Sequence, residues 1–182
     1  MYAINASDNI KVIKSIISVV IGSVLLAISS KIQTPFTLVP ATMQTFVVLF
    51  LGMILGYKLA TASIILYLIE GSFGLPVFAK GGGFAYLIGP TGGYLIGFVL
   101  TAFFAGMIKT KSDPIIIFIY LSLSVSVAYL LGLLWLWNYM GLDKSFGEVF
   151  LVGAQPFLII EIYKILILTV LSQQLLKIRN FI

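Results

Sequence analysis

Residues 114–139 read PIIIFIYLSLSVSVAYLLGLLWLWNY, an apolar run with no charged side chain from Pro114 to Tyr139. About 20 apolar residues in a helix cross the hydrocarbon core of a bilayer, whereas buried runs of soluble domains stop at roughly 10–14. The run therefore predicts a transmembrane helix. Five further apolar runs accompany it, at 13–30, 42–56, 59–70, 86–108 and 149–176, and short polar connections separate them. Over 182 residues the chain is 60% hydrophobic and 9% charged, with mean hydropathy +1.15. A soluble domain carries about a quarter charged residues, so water is not the main solvent of this surface. Six spans of about 20 residues with short connections use the whole length, which leaves no room for a catalytic or nucleotide-hydrolysing domain. The expected architecture is one all-α integral membrane domain, 1–182, a compact bundle of six transmembrane helices. The second and third runs are short and share the tight link Gly56-Tyr57-Lys58, so tilted or partly embedded helices are expected there.

The formal charge of +5 and pI near 9.4 arise from Lys and Arg placed singly or in pairs between apolar runs. That distribution speaks for membrane topology rather than nucleic-acid binding. Six spans counted from the N-terminus put Lys11, Lys14, Lys58, Lys109, Lys111, Lys177 and Arg179 on one side and Lys31, Lys80 and Lys144 on the other. The positive-inside rule then places both termini in the cytoplasm. A polar start followed by Lys11 and Lys14 also fits a cleaved signal peptide. A retained first helix is preferred, because the run reaches Ile28 without a convincing small-residue cleavage site. The sequence contains neither Cys nor His, which removes disulfides, thiolate metal sites and the usual general base. No metal site is expected.

Three connections then face outward, Lys31 to Ala41, Gly71 to Ala85 and Met140 to Glu148. The first two hold Pro35, Pro40, Pro76 and Gly81-Gly82-Gly83, which resist a helix and predict ordered loops over the bundle mouth. Glu161 and Lys164, three residues apart, share one face of the last run. Each costs about 2.5–3.5 kcal/mol at mid-bilayer, so both should point into the bundle, where polar residues usually mark a substrate path. The competing reading is a self-neutralising ion pair, or a lysine snorkelling to the interface. Gly89, Gly93, Gly97, Thr101 and Ala105 recur every four residues and predict close helix packing. Neither a P-loop nor a dinucleotide fingerprint fits the glycines. Gln44 and Thr45 lie at the outward start of the second helix, able to bond a ligand or to serve the helix itself. Small pairs at Ser18/Gly22, Ser23/Ala27 and Gly52/Gly56 permit close helix approach, internal or with a partner.

Three strings occur in order: Val39-Pro40-Ala41-Thr42-Met43-Gln44-Thr45-Phe46, Gly74-Leu75-Pro76-Val77-Phe78-Ala79 and Gly89-Pro90-Thr91-Gly92-Gly93-Tyr94-Leu95. Together they resemble the BioY family, the biotin-binding membrane subunits of energy-coupling factor (ECF) transporters, over nearly the whole chain. The resemblance implies a substrate-capture (S) component in a cell membrane, expected to be a bacterial plasma membrane. It would take biotin from outside and work in the lipid bilayer with a transmembrane coupling subunit and two ATPase subunits. ATP is used by those subunits, so this chain would need no cofactor, bind no nucleic acid and catalyse nothing. The family's acid and lysine in the last helix correspond to Glu161 and Lys164, with glutamate here in place of the usual aspartate. The family's small-xxx-small docking motif falls on Ser23 and Ala27, so Ser23→Leu is expected to spare binding and disrupt assembly.

Biotin combines an apolar bicycle and chain with a ureido group at one end and a carboxylate at the other. Glu161 can accept from a ureido N–H, and Lys164 can donate to its carbonyl or neutralise Glu161. Phe78, Tyr86 and Tyr94 are expected along the apolar part. Lys80 and the amides of Gly82 and Gly83 are expected at the carboxylate. Two alternatives stay open: an S component for another vitamin, and a stand-alone carrier coupled to protonation of Glu161. An intramembrane enzyme is disfavoured, since no paired carboxylates fall within one helix.

Overall fold

Gly56 turns the chain back on itself in the middle of its longest helical run. The computed structural model describes residues 6–34, 38–109, 112–141 and 143–179, so Pro35 and Lys111 lie outside the described residues. In chain order the helices are α1 Ala6–Lys31, α2 Gln44–Ser72, the single turn α3 Phe84–Leu87, α4 Gly92–Ala105, α5 Pro114–Met140 and α6 Phe146–Gly153. A 3-10 turn Gln155–Phe157 then leads into α7 Leu158–Ile178. Within α2, Gly56 alone leaves helical geometry, at φ 73° and ψ 171°, a region essentially reserved for glycine. The consequence is visible at the ends of α2, where Gln44 Nε2 donates to Tyr67 OH at 2.8 Å. In a straight helix those residues would lie roughly 35 Å apart. Residues 44–55 and 57–72 are therefore two short antiparallel arms.

Length and composition alone give four candidate spans, counting Gln44–Ser72 as one and leaving Gly92–Ala105 as a shorter apolar helix. The Gln44–Tyr67 bond rules out a single 29-residue span, so the geometry supports six principal helical segments: α1, the two arms of α2, α4, α5 and α7. Two expected spans are interrupted. The 86–108 run divides at Gly89-Pro90-Thr91 into α3 and α4, and the 149–176 run bends between Gly153 and Leu158, where Pro156 lies in the 3-10 turn. Proline has no N–H for a helix ladder, so both prolines fall where the ladder is already broken.

The small-residue stripe of α4 packs inside the bundle. A Cβ on Gly97 would lie 2.7 Å from Ala128 Cα, and one on Gly93 would lie 2.6 Å from the Leu131 carbonyl. Thr101 Oγ1 bonds the Ser124 carbonyl of α5 at 3.0 Å. At the far end, a Cβ on Gly52 would meet Ala105 Cβ at 2.7 Å. The backbones approach this closely because no side chain separates them. Many large apolar side chains are exposed, among them Ile13, Ile17, Val24 and Ile28 on α1, a surface suited to lipid rather than water.

Ser23 departs from its expected place on a partner-facing surface. It is 0% exposed, with Oγ bonded to the Val20 carbonyl and to Glu70 Oε1 at 3.2 Å. Gly22 beside it faces Ser63, whose Oγ would stand 2.4 Å from an added Cβ. This face of α1 is occupied by the second arm of α2, and Ala27 is half-buried against the same core.

At the end of the bundle remote from α1's C-terminus, Arg179 Nη1 donates to the Ile108 carbonyl at 3.0 Å. The same guanidinium lies over Gly56, where an added Cβ would fall 2.6 Å from Nη2. Lys58, Lys109 and Lys177 adjoin these residues in sequence, so basic side chains gather at one end.

Gly56→Ala should destabilise the protein by about 1–3 kcal/mol through backbone strain, read as a lower melting temperature in detergent. Ser23→Leu should lower the melting temperature of the isolated chain, through overpacking of about 1–3 kcal/mol. An unchanged melting temperature for that variant would return Ser23 to an outer face.

Candidate functional site

A buried ion pair sits where the first arm of α2 meets α7. Helix α7 presents Glu161 and Lys164 on one face, and α2 begins opposite them with Gln44 and Thr45. Glu161 is 6% exposed and Lys164 5%. Lys164 Nζ donates to Glu161 Oε1 at 2.7 Å, to Thr45 Oγ1 at 2.9 Å and to the Thr42 carbonyl at 2.7 Å. Thr45 Oγ1 donates in turn to Glu161 Oε1 at 2.8 Å. Glu161 Oε2, equally buried, has no hydrogen-bond partner. The pair is neutral as a unit, as burial of two charges demands, and one carboxylate oxygen remains open.

Glu161 forms part of the wall of a narrow cavity at this end of the bundle. Thr45, Gln44, Tyr86, Tyr94, Phe98 and Tyr129 line it, and the Val39–Thr42 segment covers it; the cavity is about 50 Å³, enough for a few waters. Its walls are mainly apolar, with polar groups converging at Glu161, as small-molecule sites require. Gln44 is fixed on both sides: its Oε1 accepts from Thr42 Oγ1 at 3.2 Å, and its Nε2 donates to Tyr67 OH. Tyr67 OH then donates to the Val77 carbonyl at 3.2 Å, which also accepts from Ser30 Oγ at 2.7 Å. Lys31 Nζ and Gln33 Nε2 donate to the next two carbonyls, Phe78 and Ala79. The end of α1 thus fastens the second outward loop beside the cavity.

The structure separates the expected site residues. Glu161, Gln44, Thr45, Tyr86 and Tyr94 come together around the cavity, and Tyr94 OH is anchored to the Gly153 carbonyl at 2.9 Å. Lys164 stands behind Glu161 and Thr45 rather than in the wall. Phe78 is fully buried, stacked on Tyr86 at 5.0 Å and edge-on to Tyr67 at 5.3 Å, so it supports Tyr86 from the core. Two amides of the glycine run are taken by the loop itself. Gly81 N–H bonds the Phe78 carbonyl at 3.3 Å and Gly83 N–H bonds the Gly71 carbonyl at 2.7 Å. Gly82 is small for packing, since a Cβ there would lie 2.1 Å from the Leu75 carbonyl. Lys80 lies on an adjoining outer depression that shares Pro40, Tyr86 and Thr91 with the cavity. Sequence reasoning missed Tyr129, one of three tyrosines in the 114–139 run with nothing to single it out, and the Thr42 carbonyl, which has no side-chain signal.

The family model for the BioY family matches residues 4–181, and the chain belongs to that family. It is 35% identical over 152 residues to the probable biotin transporter BioY of Pyrococcus horikoshii, covering 83% of this chain and 89% of that one. To the biotin transporter BioY of Thermotoga maritima it is 31% identical over 166 residues, covering 90% and 96%. A crystal structure of the S-component for biotin from an ECF-type ABC transporter superposes with a TM-score of 0.79 at 24% identity, over 93% and 94% of the two chains. The fold is therefore that of an S component, a multi-pass protein of the cell membrane.

Phe78→Ala should cost about 3–5 kcal/mol of stability, the usual loss for a fully buried phenyl ring. Thermal unfolding in detergent measures it. A variant that loses affinity with its melting temperature intact would move Phe78 from the core to the ligand.

Proposed function

We propose that this chain captures biotin from outside the cell as the S component of an ECF importer. A coupling subunit and two ATPase subunits on other chains then drive release inward. The chain itself binds and does not catalyse, uses no cofactor, and leaves ATP to its partners. The observation that carries this reading is Glu161: a buried carboxylate with one engaged and one open oxygen, set in a cavity with otherwise largely apolar walls. Biotin's ureido end supplies N–H donors for that oxygen, and once the cavity widens beyond its present room for a few waters, the bicycle and chain suit the aromatic walls formed by Tyr86, Tyr94, Phe98 and Tyr129.

In this pose the valerate points outward, toward the depression that holds Lys80. Lys80 lines that depression and is a cation suited to a carboxylate, whereas the Gly83 amide is already bonded to the Gly71 carbonyl. The end that gathers Lys58, Lys109, Lys177 and Arg179 is cytoplasmic in this reading, with both termini, and the cavity opens to the exterior.

Calorimetric titration of the purified chain with biotin tests the substrate. Saturable binding of biotin is expected; no heat with biotin but a titration with another vitamin would overturn the choice of ligand. Glu161→Gln should weaken binding by roughly 10- to 100-fold, the worth of a charge-assisted hydrogen bond. Glu148→Gln should leave affinity unchanged, because Glu148 is exposed and closes the capping box of α6 with Ser145. Equal affinities for the two variants would remove Glu161 from the site.

A further inference from the structure

Arg179 is held face-on against bare backbone. The position that a Cβ on Gly56 would take lies 2.6 Å from Nη2 and 2.9 Å from both Cζ and Nε, so the whole guanidinium rests on the turn of α2. One of its five N–H groups goes to the Ile108 carbonyl at 3.0 Å, and the others meet no acceptor among the described residues. Lys58, Lys109 and Lys177 are exposed and lie within two residues of Gly56, Ile108 and Arg179 in turn. These cations therefore gather with Arg179 where the α2 turn meets the ends of α4 and α7. Among the described residues no carboxylate pairs with any of them, and Lys58 has only the Tyr57 ring, its Nζ 5.8 Å from the centroid. Asp113, the acid nearest in sequence, is spent on the N-cap of α5, where its Oδ1 accepts from the Ile115 N–H at 2.9 Å. A basic patch so little compensated attracts an anion.

The flank of the same end decides which anion fits. A groove of about 260 Å³ runs between α4 and α5, lined by Phe104, Tyr120, Leu123, Ser124 and Val127. It begins at the last turn of α4, since Phe104 precedes the final residue of that helix, Ala105. Phe104 packs edge-on to Phe103 at 5.6 Å, and Phe103 edge-on to Tyr57 at 5.5 Å, so an aromatic row links the groove to the basic turn. Tyrosine beside lysine at the end of apolar helices marks a membrane–water boundary. An acidic protein surface or a free phosphate would use the cations and leave the groove empty. A phospholipid uses both. We propose that this end of the bundle is a binding site for an anionic phospholipid of the surrounding leaflet. Its phosphate meets the unspent donors of the planar Arg179 fork, and Lys58, Lys109 and Lys177 supply the surrounding field. One acyl chain lies in the α4–α5 groove. The site is independent of the ligand that the central cavity takes.

Lipid retention tests the assignment on the unaltered protein. The detergent-purified chain is incubated at about 0.1 M salt with equal amounts of phosphatidylglycerol and phosphatidylcholine bearing the same acyl chains. After detergent exchange, mass spectrometry counts the lipid that stays bound. A surface cation is worth about fivefold in affinity for an anionic lipid, so phosphatidylglycerol should be enriched by roughly tenfold or more. At about 1 M salt, where the screening length falls from about 10 to about 3 Å, the enrichment should drop below about threefold. Equal retention of the two lipids would overturn the proposal. Displacement of phosphatidylglycerol by an equal concentration of glycerol phosphate would do so as well, since a headgroup without chains would then be the ligand.

Variants separate the headgroup from the chain. The triple variant Lys58→Gln, Lys109→Gln, Lys177→Gln should keep its melting temperature in lipid-free detergent, because all three side chains are exposed. Its enrichment should fall to about threefold or less. Lys144→Gln, at the opposite end, should keep the wild-type ratio. Leu123→Trp places bulk at an exposed position on the groove wall, and should lower retention of both lipids while leaving their ratio unchanged. Full enrichment in the triple variant would overturn the basic site; if that variant also failed to co-purify with the ATPase and coupling subunits, the patch would belong to a protein partner instead. Wild-type retention by Leu123→Trp would overturn the placing of the chain in the groove.

Discussion

The Glu161–Lys164 pair constrains everything around it. Two charges placed within a membrane bundle are tolerated only if both are neutralised and their remaining hydrogen-bonding capacity is met. The protein meets it from α2: Thr45 supplies a hydroxyl and Thr42 a backbone carbonyl, which requires the start of α2 to lie directly against α7. The carbonyl of Thr42 is free for this because the chain is not yet helical there, α2 beginning at Gln44. An early helix start would have spent that carbonyl on the helix ladder. The irregular backbone at Val39–Thr42 is thus both a wall of the cavity and the source of an acceptor for Lys164.

The Gly56 reversal extends the same support outward. By bringing Tyr67 back to Gln44, it links the cavity wall to the Val77 carbonyl and from there to Ser30 of α1. Three successive carbonyls, Val77, Phe78 and Ala79, are held by Ser30, Lys31 and Gln33, so the outward loop is fastened by its backbone rather than by its side chains. This explains why the proline- and glycine-rich stretch is ordered. Its orphan polar groups are claimed by the end of a long helix, and its Phe78 ring fills the space between Tyr67 and Tyr86.

Hydropathy made the membrane bundle legible, and the break at Gly56-Tyr57-Lys58 was visible because two short apolar runs met at a glycine. The acid–lysine pair was legible for a related reason: charges within an apolar run have few places to go. Directions were harder to read. Ser23 and Ala27 have the spacing of a contact face, but spacing does not say which neighbour is contacted, and Glu70 and Ser63 of α2 take that face. Phe78 looked like a wall of the site because aromatic rings line cavities as often as they fill cores. The kinks at Pro90 and Pro156 were masked by continuous hydrophobicity, which reports solvent and not backbone path. The role of Thr42 was invisible, since a carbonyl belongs to every residue.

The packing beneath the site also bears on how a bound ligand would move. Leu49, Met53, Leu121 and Leu168 form one buried cluster with Ile117, Ile165 and Leu176. Farther along, Arg179 ties α7 to the Ile108 carbonyl and lies over the Gly56 turn. Full exposure of each such side chain costs about 1.5–3 kcal/mol, so opening a path through several of them exceeds what thermal motion supplies cheaply. The outward cover is lighter, closed by the Thr34 N–H to Ala41 carbonyl bond at 2.9 Å and the Met43 N–H to Ile32 carbonyl bond at 3.0 Å. In the proposed orientation, exchange with the exterior is therefore the easier direction for this chain alone. In the proposed reading, inward release would open the α2–α7 contact at Thr45, which takes the Thr42 and Thr45 acceptors from Lys164 and the Thr45 hydroxyl from Glu161. If, as proposed, other subunits drive release, work done on α2 or α7 would thus loosen the packing and the ligand's anchor in a single movement.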